Sequence, residues 1–124
     1  MEKNILITGG LGFIGSNFIL RILEKKNDVN ITNLDAMLSG SNKKNLSHIK
    51  IKNYKFLKGN ITNKKIINDL IKKNDIVINF AAESHVDRSI NEPKPFIDSN
   101  ILGVYNILEA IRKYEKKLIQ ISTD

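Results

Sequence analysis

The sequence has 124 residues, 41% hydrophobic content and no cysteine, which suits one compact domain and excludes disulfides, thiol nucleophiles and thiolate metal sites. A formal net charge of +7 would suit a nucleic-acid partner, but the lysines are scattered in pairs along the chain instead of forming one basic patch. No apolar run reaches membrane-spanning length and no signal peptide precedes the first strand, so we expect a cytoplasmic protein without membrane, nucleic-acid or metal partners.

The elements predicted along the chain alternate between strands and helices. Short runs rich in Ile and Val predict buried parallel strands at residues 4–8, 30–34 and 75–80, with weaker strands at 54–57 and 117–122. Apolar residues at near-helical spacing predict helices at residues 13–26, 64–73 and 95–114. Residues 36–53 form a long irregular stretch, which is typical of a functional or a mobile loop. This alternation predicts an α/β doubly wound parallel sheet of the Rossmann type, truncated after the fifth strand.

A glycine-rich turn follows the first strand and opens the first helix. It runs Thr8-Gly-Gly-Leu-Gly-Phe-Ile-Gly15. Gly9 would permit the tight turn, Gly12 the close approach of the backbone to a pyrophosphate, and Gly15 the packing of the helix near the strand. The amino terminus of the helix would offer unpaired N–H groups to the phosphates. This context predicts a dinucleotide site, and the alternative is a glycine-rich turn that binds no ligand.

Asp35 stands at the end of the second strand, about 20 residues beyond the last glycine, where the acid that binds the adenosine ribose is expected. Its carboxylate would accept hydrogen bonds from the ribose hydroxyls and would repel a 2′-phosphate. The sequence therefore predicts NAD, rather than NADP, as the cofactor.

Two further segments are similar to those of a known family. They read Asn79-Phe-Ala-Ala-Glu-Ser-His-Val-Asp-Arg-Ser89 and Gln120-Ile-Ser-Thr-Asp124. Together with the three-residue spacing of the glycines, they resemble the dTDP-glucose 4,6-dehydratases of the extended short-chain dehydrogenase/reductase family. The resemblance covers essentially the whole chain. It implies that residues 1–124 are the NAD-binding Rossmann domain of a longer enzyme, without its catalytic Tyr/Lys helix and its substrate domain.

The resemblance also assigns residues to the cofactor and to the sugar. The cofactor would be contacted by Gly9, Gly12, Phe13, Ile14, Gly15, Asp35, Ala36, Met37, Leu38, Asn60, Ile61, Phe80, Ala81, Ala82, Glu83, Ser84 and Ser99. Ser84 and Thr123 would also face the hexose. The family commonly has Asp where this chain has Asn60, so we expect weaker recognition of the adenine there. No chemical role is assigned to His85.

The activity implied by the resemblance is an internal redox cycle on dTDP-glucose. Hydride leaves C4 for NAD, water is eliminated across C5 and C6, and the hydride returns to C6, which gives dTDP-4-keto-6-deoxyglucose. Thr123 would position the 4-hydroxyl, and Asp124 would protonate the departing 6-hydroxyl. The elimination base, a Glu in the family, would follow at the next position, so we expect residues 1–124 alone to be inactive. The resemblance also implies a homodimer through the 95–114 helix.

Two other functions are compatible with the same turn. A UDP-sugar 4-epimerase or decarboxylase of the same family would keep the cofactor site and omit the elimination, and Asp124 argues against it. A non-catalytic dinucleotide-binding sensor would lack the redox Tyr and Lys. The chain has one Tyr and Lys at the required four-residue spacing, Tyr54 and Lys58. On the predicted strand they would lie about 13 Å apart instead of the about 6 Å of a helix, so we reject this pair as catalytic.

Overall fold

The structure, a computed structural model, describes residues 2–37, 46, 52–81, 90–91 and 93–121. Its strands are β1 (Lys3–Thr8), β2 (Val29–Asp35), β3 (Tyr54–Lys58), β4 (Ile76–Asn79) and β5 (Lys117–Gln120). Its helices are α1 (Phe13–Lys25), α2 (Lys64–Lys73), α3 (Pro93–Ile97) and α4 (Val104–Tyr114), with a π-helical segment, Asp98–Gly103, between α3 and α4.

The strands form one parallel sheet in the order β3-β2-β1-β4-β5. From β1 the chain moves outward to β3, crosses back to β4 on the other side of β1, and continues outward to β5. A ligand crevice is expected where the strand order reverses, at the carboxyl ends of β1 and β4. The sheet confirms the predicted doubly wound parallel architecture.

Helices cover both faces of the sheet, as the nearly continuous apolar runs of the strands predict. The face that carries Ile5, Ile7 and Ile31 packs against α1. The opposite face, which carries Leu6 and Val77, packs against α2 and α4. Successive residues of β1 therefore pack into two separate cores, one on each face of the sheet, and both faces of β1 are covered near its carboxyl end.

The predicted elements are confirmed, with different ends. The helix predicted at 64–73 has those bounds, whereas β2 extends one residue beyond its prediction at each end and β5 stops at Gln120. The helix predicted at 95–114 begins two residues earlier and contains the π-helical segment. A π turn adds a residue to the helical repeat, and the spacing of apolar residues does not reveal so local a change. Across the described part of the chain, no helix combines the length and the apolar character that crossing a membrane requires.

Candidate functional site

In the tight bend after β1, contact with neighbouring backbone requires glycine at two positions. Gly9 has a φ of 75°, and a Cβ there would lie 2.5 Å from the backbone nitrogen of Ala81. A Cβ on Gly15 would lie 2.7 Å from the carbonyl oxygen of Gly9, so α1 begins directly against the turn. The predicted helix packing at Gly15 is therefore against the turn itself. Both glycines are required by the fold, whether or not a ligand binds.

Gly12 differs from the other two glycines of the motif. Its φ of −72° suits any residue, and among the residues that the structure describes, a Cβ there would meet only the carbonyl oxygen of Gly9, at an ordinary 3.6 Å. The described part of the fold therefore gives no reason for a glycine at this position. The open space it leaves is what the close approach of a pyrophosphate needs.

The amino terminus of α1 lies directly beside this space. Gly12 is its N-cap residue, and no side chain of the described residues caps the helix, whereas Asn63 caps α2 by accepting a hydrogen bond from the Ile66 amide at 3.2 Å. The first N–H groups of an α-helix have no partner within the helix, and they carry the positive end of its dipole. The arrangement suits an anion such as phosphate.

Asp35, the predicted ribose-binding residue, is buried at the end of β2 and holds two backbone amides. One carboxylate oxygen accepts from the Leu11 amide at 2.9 Å, and the other accepts from the Met37 amide at 2.7 Å. Each oxygen keeps a second lone pair that can accept from a ribose hydroxyl. The sequence did not predict that Asp35 also anchors the glycine turn, because its Leu11 partner is 24 residues away and is revealed only when β2 is seen beside β1.

Asn33 is a second buried β2 residue that touches the turn, and the sequence analysis did not single it out. Its Oδ1 accepts from the Gly10 amide at 3.0 Å, and its Nδ2 donates to the Tyr54 hydroxyl at 3.0 Å. Burial raises the pKa of the Tyr54 hydroxyl, the bond from Asn33 lowers it, and the Asp35 carboxylate raises it. Tyr54 lies on a strand, as predicted, and its raised pKa is opposite to what a catalytic base needs.

A row of polar side chains crosses the carboxyl ends of β1, β4 and β5. The Thr8 hydroxyl donates to Asn79 Oδ1, which also accepts from the Ala81 amide at 3.0 Å, and Asn79 Nδ2 donates to Gln120 Oε1 at 2.9 Å. Thr8 and Asn79 have no exposed surface. This row fixes the Ala81 backbone beside Gly9. The sequence analysis did not predict this role for Thr8, Asn79 and Gln120.

Three of the predicted cofactor contacts are large apolar residues that are exposed near the turn. Phe13 and Ile14, in the first turn of α1, are 80% and 64% exposed, and Met37, just beyond β2, is 38% exposed. Ala36 is half-buried between Asp35 and Met37. Their contact with a cofactor stays a prediction.

Asn60 and Ile61, predicted to flank the adenine, form a turn after β3. Asn60 Oδ1 accepts from the Thr62 amide at 3.0 Å, and Ile61 is only 4% exposed because it belongs to the core beneath α2 and α4. Asn106 of α4 donates its amide to the carbonyl oxygens of Ile61 and Thr62 at 3.0 and 3.1 Å. The structure therefore places the Ile61 side chain in the core and engages one lone pair of the Asn60 oxygen.

The remaining predicted site residues are described partly or not at all. Phe80 is half-buried, and its ring lies 5.5 Å from that of Phe18 on α1, centroid to centroid. Ser99 lies in the π-helical segment. Those outside the described residues are Leu38, Ala82, Glu83, Ser84, Thr123 and Asp124, and His85, which has no predicted role, lies outside them too. The predicted catalytic and hexose-binding roles therefore stay predictions. Within the described ranges, no group of three or more metal-ligating side chains could hold a metal ion.

Comparison with known proteins identifies relatives along nearly the whole chain. The family model described as GDP-mannose 4,6 dehydratase matches residues 6–124. The dTDP-glucose 4,6-dehydratase of Mycolicibacterium smegmatis is 39% identical over 120 residues, which are 97% of this chain and 36% of that protein.

Solved structures also match nearly the whole chain. The dTDP-glucose 4,6-dehydratase of Bacillus anthracis, in complex with NAD, matches 98% of this chain and 37% of its own, with a TM-score of 0.85 and 39% identity. The UDP-glucose 4-epimerase of Thermotoga maritima, with UDP-glucose, matches 97% of this chain and 38% of its own, with a TM-score of 0.83 and 31% identity. The chain thus spans little more than a third of the length of these relatives.

Proposed function

Because the chain belongs to the GDP-mannose 4,6 dehydratase family, we propose that it forms the NAD-binding domain of a nucleotide-sugar 4,6-dehydratase that acts on dTDP-glucose. The observation that carries the NAD site is the space at Gly12, at the amino terminus of α1: within the described residues, the fold does not require this space and no side chain caps the helix. A dinucleotide pyrophosphate fits this combination of open backbone and positive dipole.

The chain's own residues would bind the adenosine half of the cofactor on one side of β1 and the nicotinamide half on the other. The turn from Gly9 to Gly15 and the first turn of α1 would hold the pyrophosphate, and Asp35 would hold the adenosine ribose. The backbone at Ala81, fixed by Asn79, would line the nicotinamide side. NAD, when bound, would supply a reversible hydride acceptor for the sugar.

For the sugar, we propose that Thr123 positions the 4-hydroxyl and that Asp124 protonates the leaving 6-hydroxyl. Support comes from the resemblance of residues 120–124 to the dehydratases, and from the dTDP-glucose dehydratases of Mycolicibacterium smegmatis and Bacillus anthracis, which match nearly the whole chain at 39% identity. A UDP-sugar 4-epimerase is the second candidate, because its structure matches the chain nearly as well. Formation of a 4-keto-6-deoxy sugar from dTDP-glucose by the enzyme that carries this domain would identify the dehydratase, and interconversion of UDP-glucose and UDP-galactose would identify the epimerase.

The cofactor is tested by titrating the protein with NAD and NADP in a calorimeter. We expect NAD to bind at least about tenfold more tightly, because the Asp35 carboxylate repels a 2′-phosphate. The variant Asp35→Asn keeps an oxygen that can accept one backbone amide, so it reports on the charge with less damage to the turn than Asp35→Ala. It should lose most of the preference for NAD.

Asp28→Asn is a matched control for this titration, because Asp28 is an exposed acid just before the opposite end of β2. It should keep the wild-type preference. Equal affinity of the wild-type protein for NAD and NADP would contradict the assignment of Asp35.

A further inference from the structure

Two successive amides of the glycine turn are held by two side chains of β2. The Gly10 amide donates to Asn33 at 3.0 Å, and the Leu11 amide donates to Asp35 at 2.9 Å. Asn33 and Asp35 are two residues apart on a strand, so their side chains lie on the same face. β2 therefore holds the turn through two side chains, at two adjacent amides. The proposed ribose contact gives a reason for Asp35 at its position but gives none for Asn33.

The Asn33 side chain is enclosed between the turn and β3. It has no exposed surface, and a Cβ on Gly10 would overlap its amide group, so the glycine at position 10 is what allows the amide to reach the turn. An apolar residue of similar size would fill the same volume in the core. The polar group is therefore needed for the Gly10 amide, which would otherwise lose its buried acceptor.

The Asn33 amide is oriented by the Gly10 N–H, which can only donate, and its other end is held by the Tyr54 hydroxyl. The hydroxyl lies 3.0 Å from Nδ2 and accepts a hydrogen bond from it, while Oδ1 faces the Gly10 amide. In the flipped amide, the NH₂ group would face the N–H of Gly10, and two donors would meet. Tyr54 reaches Asn33 because β3 pairs with β2 and places Tyr54 beside Ile31.

We propose that Asn33 is a positioning residue for the cofactor phosphates and that Tyr54 acts through it. The pair holds the turn in its bent path before any ligand arrives, so that Gly12 and the amino terminus of α1 meet the pyrophosphate as a preformed site. A preformed site binds more tightly because less conformational freedom is lost on binding. The inference rests on the proposed NAD site and adds two residues to it that do not touch the cofactor.

The test compares NAD affinity and thermal unfolding in Asn33→Leu and in Ile31→Val. Ile31 lies on the same strand and the same face, in the core, and it makes no contact with the turn through a polar group. Both variants should unfold at a lower temperature than the wild-type protein. Only Asn33→Leu should bind NAD about tenfold or more weakly at a temperature where both are folded. Equal NAD affinity in the two variants would show that Asn33 serves only the core.

Two further measurements separate positioning from general stability. Tyr54→Phe keeps the ring and removes the acceptor, so it should weaken NAD binding a few-fold, and it should have no added effect in the Asn33→Leu background. Exchange of the Gly10 amide hydrogen, followed by NMR without NAD, should be faster in Asn33→Leu and in Tyr54→Phe than in Ile31→Val. If Asn33→Leu does not fold, the Tyr54→Phe results decide.

The outcomes distinguish this inference from the proposed function. A wild-type protein that does not bind NAD contradicts the proposed function and the inference together. A wild-type protein that binds NAD, with unchanged affinity and unchanged Gly10 exchange in Tyr54→Phe, overturns the role of Tyr54. Unchanged affinity in Asn33→Leu overturns the inference and leaves the NAD site standing.

Discussion

The glycines of the turn after β1 have different physical reasons to be glycine. Gly9 needs its positive φ and its close approach to Ala81, and Gly15 needs its contact with the Gly9 carbonyl. Gly12 has neither constraint. A substitution can therefore separate the residues that make the turn from the residue that leaves room for a ligand.

The variant Gly12→Ala should leave the free energy of unfolding within about 0.5 kcal/mol of the wild-type value, because its Cβ has ordinary contacts. It should weaken NAD binding about tenfold or more, because the methyl group occupies the space of the pyrophosphate. Gly9→Ala should lower the free energy of unfolding by about 1–3 kcal/mol through backbone strain alone, before any steric overlap is counted. Urea denaturation and calorimetry measure the two effects. Equal destabilisation by both variants would contradict this distinction.

At the scale of elements, the helical run from Pro93 to Tyr114 is fastened to the turn that follows β3. Asn106 of α4 donates to the carbonyl oxygens of Ile61 and Thr62, and Gly103 of the π-helical segment faces the Ile61 side chain so closely that a Cβ would overlap it. The turn predicted to flank the adenine is thus supported from beneath by α4. The second core depends on the same contact, since Ile61 packs there.

The variant Asn106→Leu should lower the free energy of unfolding by about 1–3 kcal/mol, because two partly buried carbonyl oxygens lose their donor. Asn17→Leu is the matched control, since Asn17 is exposed on α1 and its side chain donates to the Phe13 carbonyl of its own helix. It should change the free energy of unfolding by no more than about 0.5 kcal/mol. Chemical denaturation measures both. Similar losses in the two variants would show that the Asn106 bonds contribute little.

At the scale of the whole molecule, the helical run from Pro93 to Tyr114 carries an apolar stripe that the described part of the domain leaves exposed. Its members are large apolar residues about half exposed or more: Ile97, Ile101, Leu102, Tyr105 and Leu108. Contiguous apolar surface of this kind usually marks a site of association. We propose that the stripe joins two copies of the chain in a homodimer, with one NAD site in each copy.

The chain should therefore associate in sedimentation velocity experiments as its concentration rises. Replacing two residues of the stripe, with Ile101→Glu and Leu108→Glu, should leave the chain monomeric and folded, because both side chains are at least half exposed and contribute little to the core. Lys113→Glu is a control charge change on α4 and should associate like the wild-type chain. A wild-type chain that remains strictly monomeric at high concentration would contradict the proposed dimer.

The sequence by itself determined the order of the elements and the place of the glycine turn. Apolar periodicity and glycine spacing are local, so β1, α1 and the turn between them could be predicted from consecutive residues. Asp35 could be assigned for the same reason, because its distance from the last glycine along the chain is part of the motif.

Only the tertiary structure decided which polar side chains hold the turn. Asn33 meets Gly10 across 23 residues and Tyr54 across 21, and Thr8 meets Asn79 across 71. These bonds depend on which strands become neighbours in the sheet, and no spacing along the chain specifies that order. The π-helical segment was likewise decided by the tertiary structure, since the close fit of Gly103 against Ile61 exists only after α4 packs on the turn beyond β3. A buried amide finds its partners through packing, and for that reason its role is visible only in three dimensions.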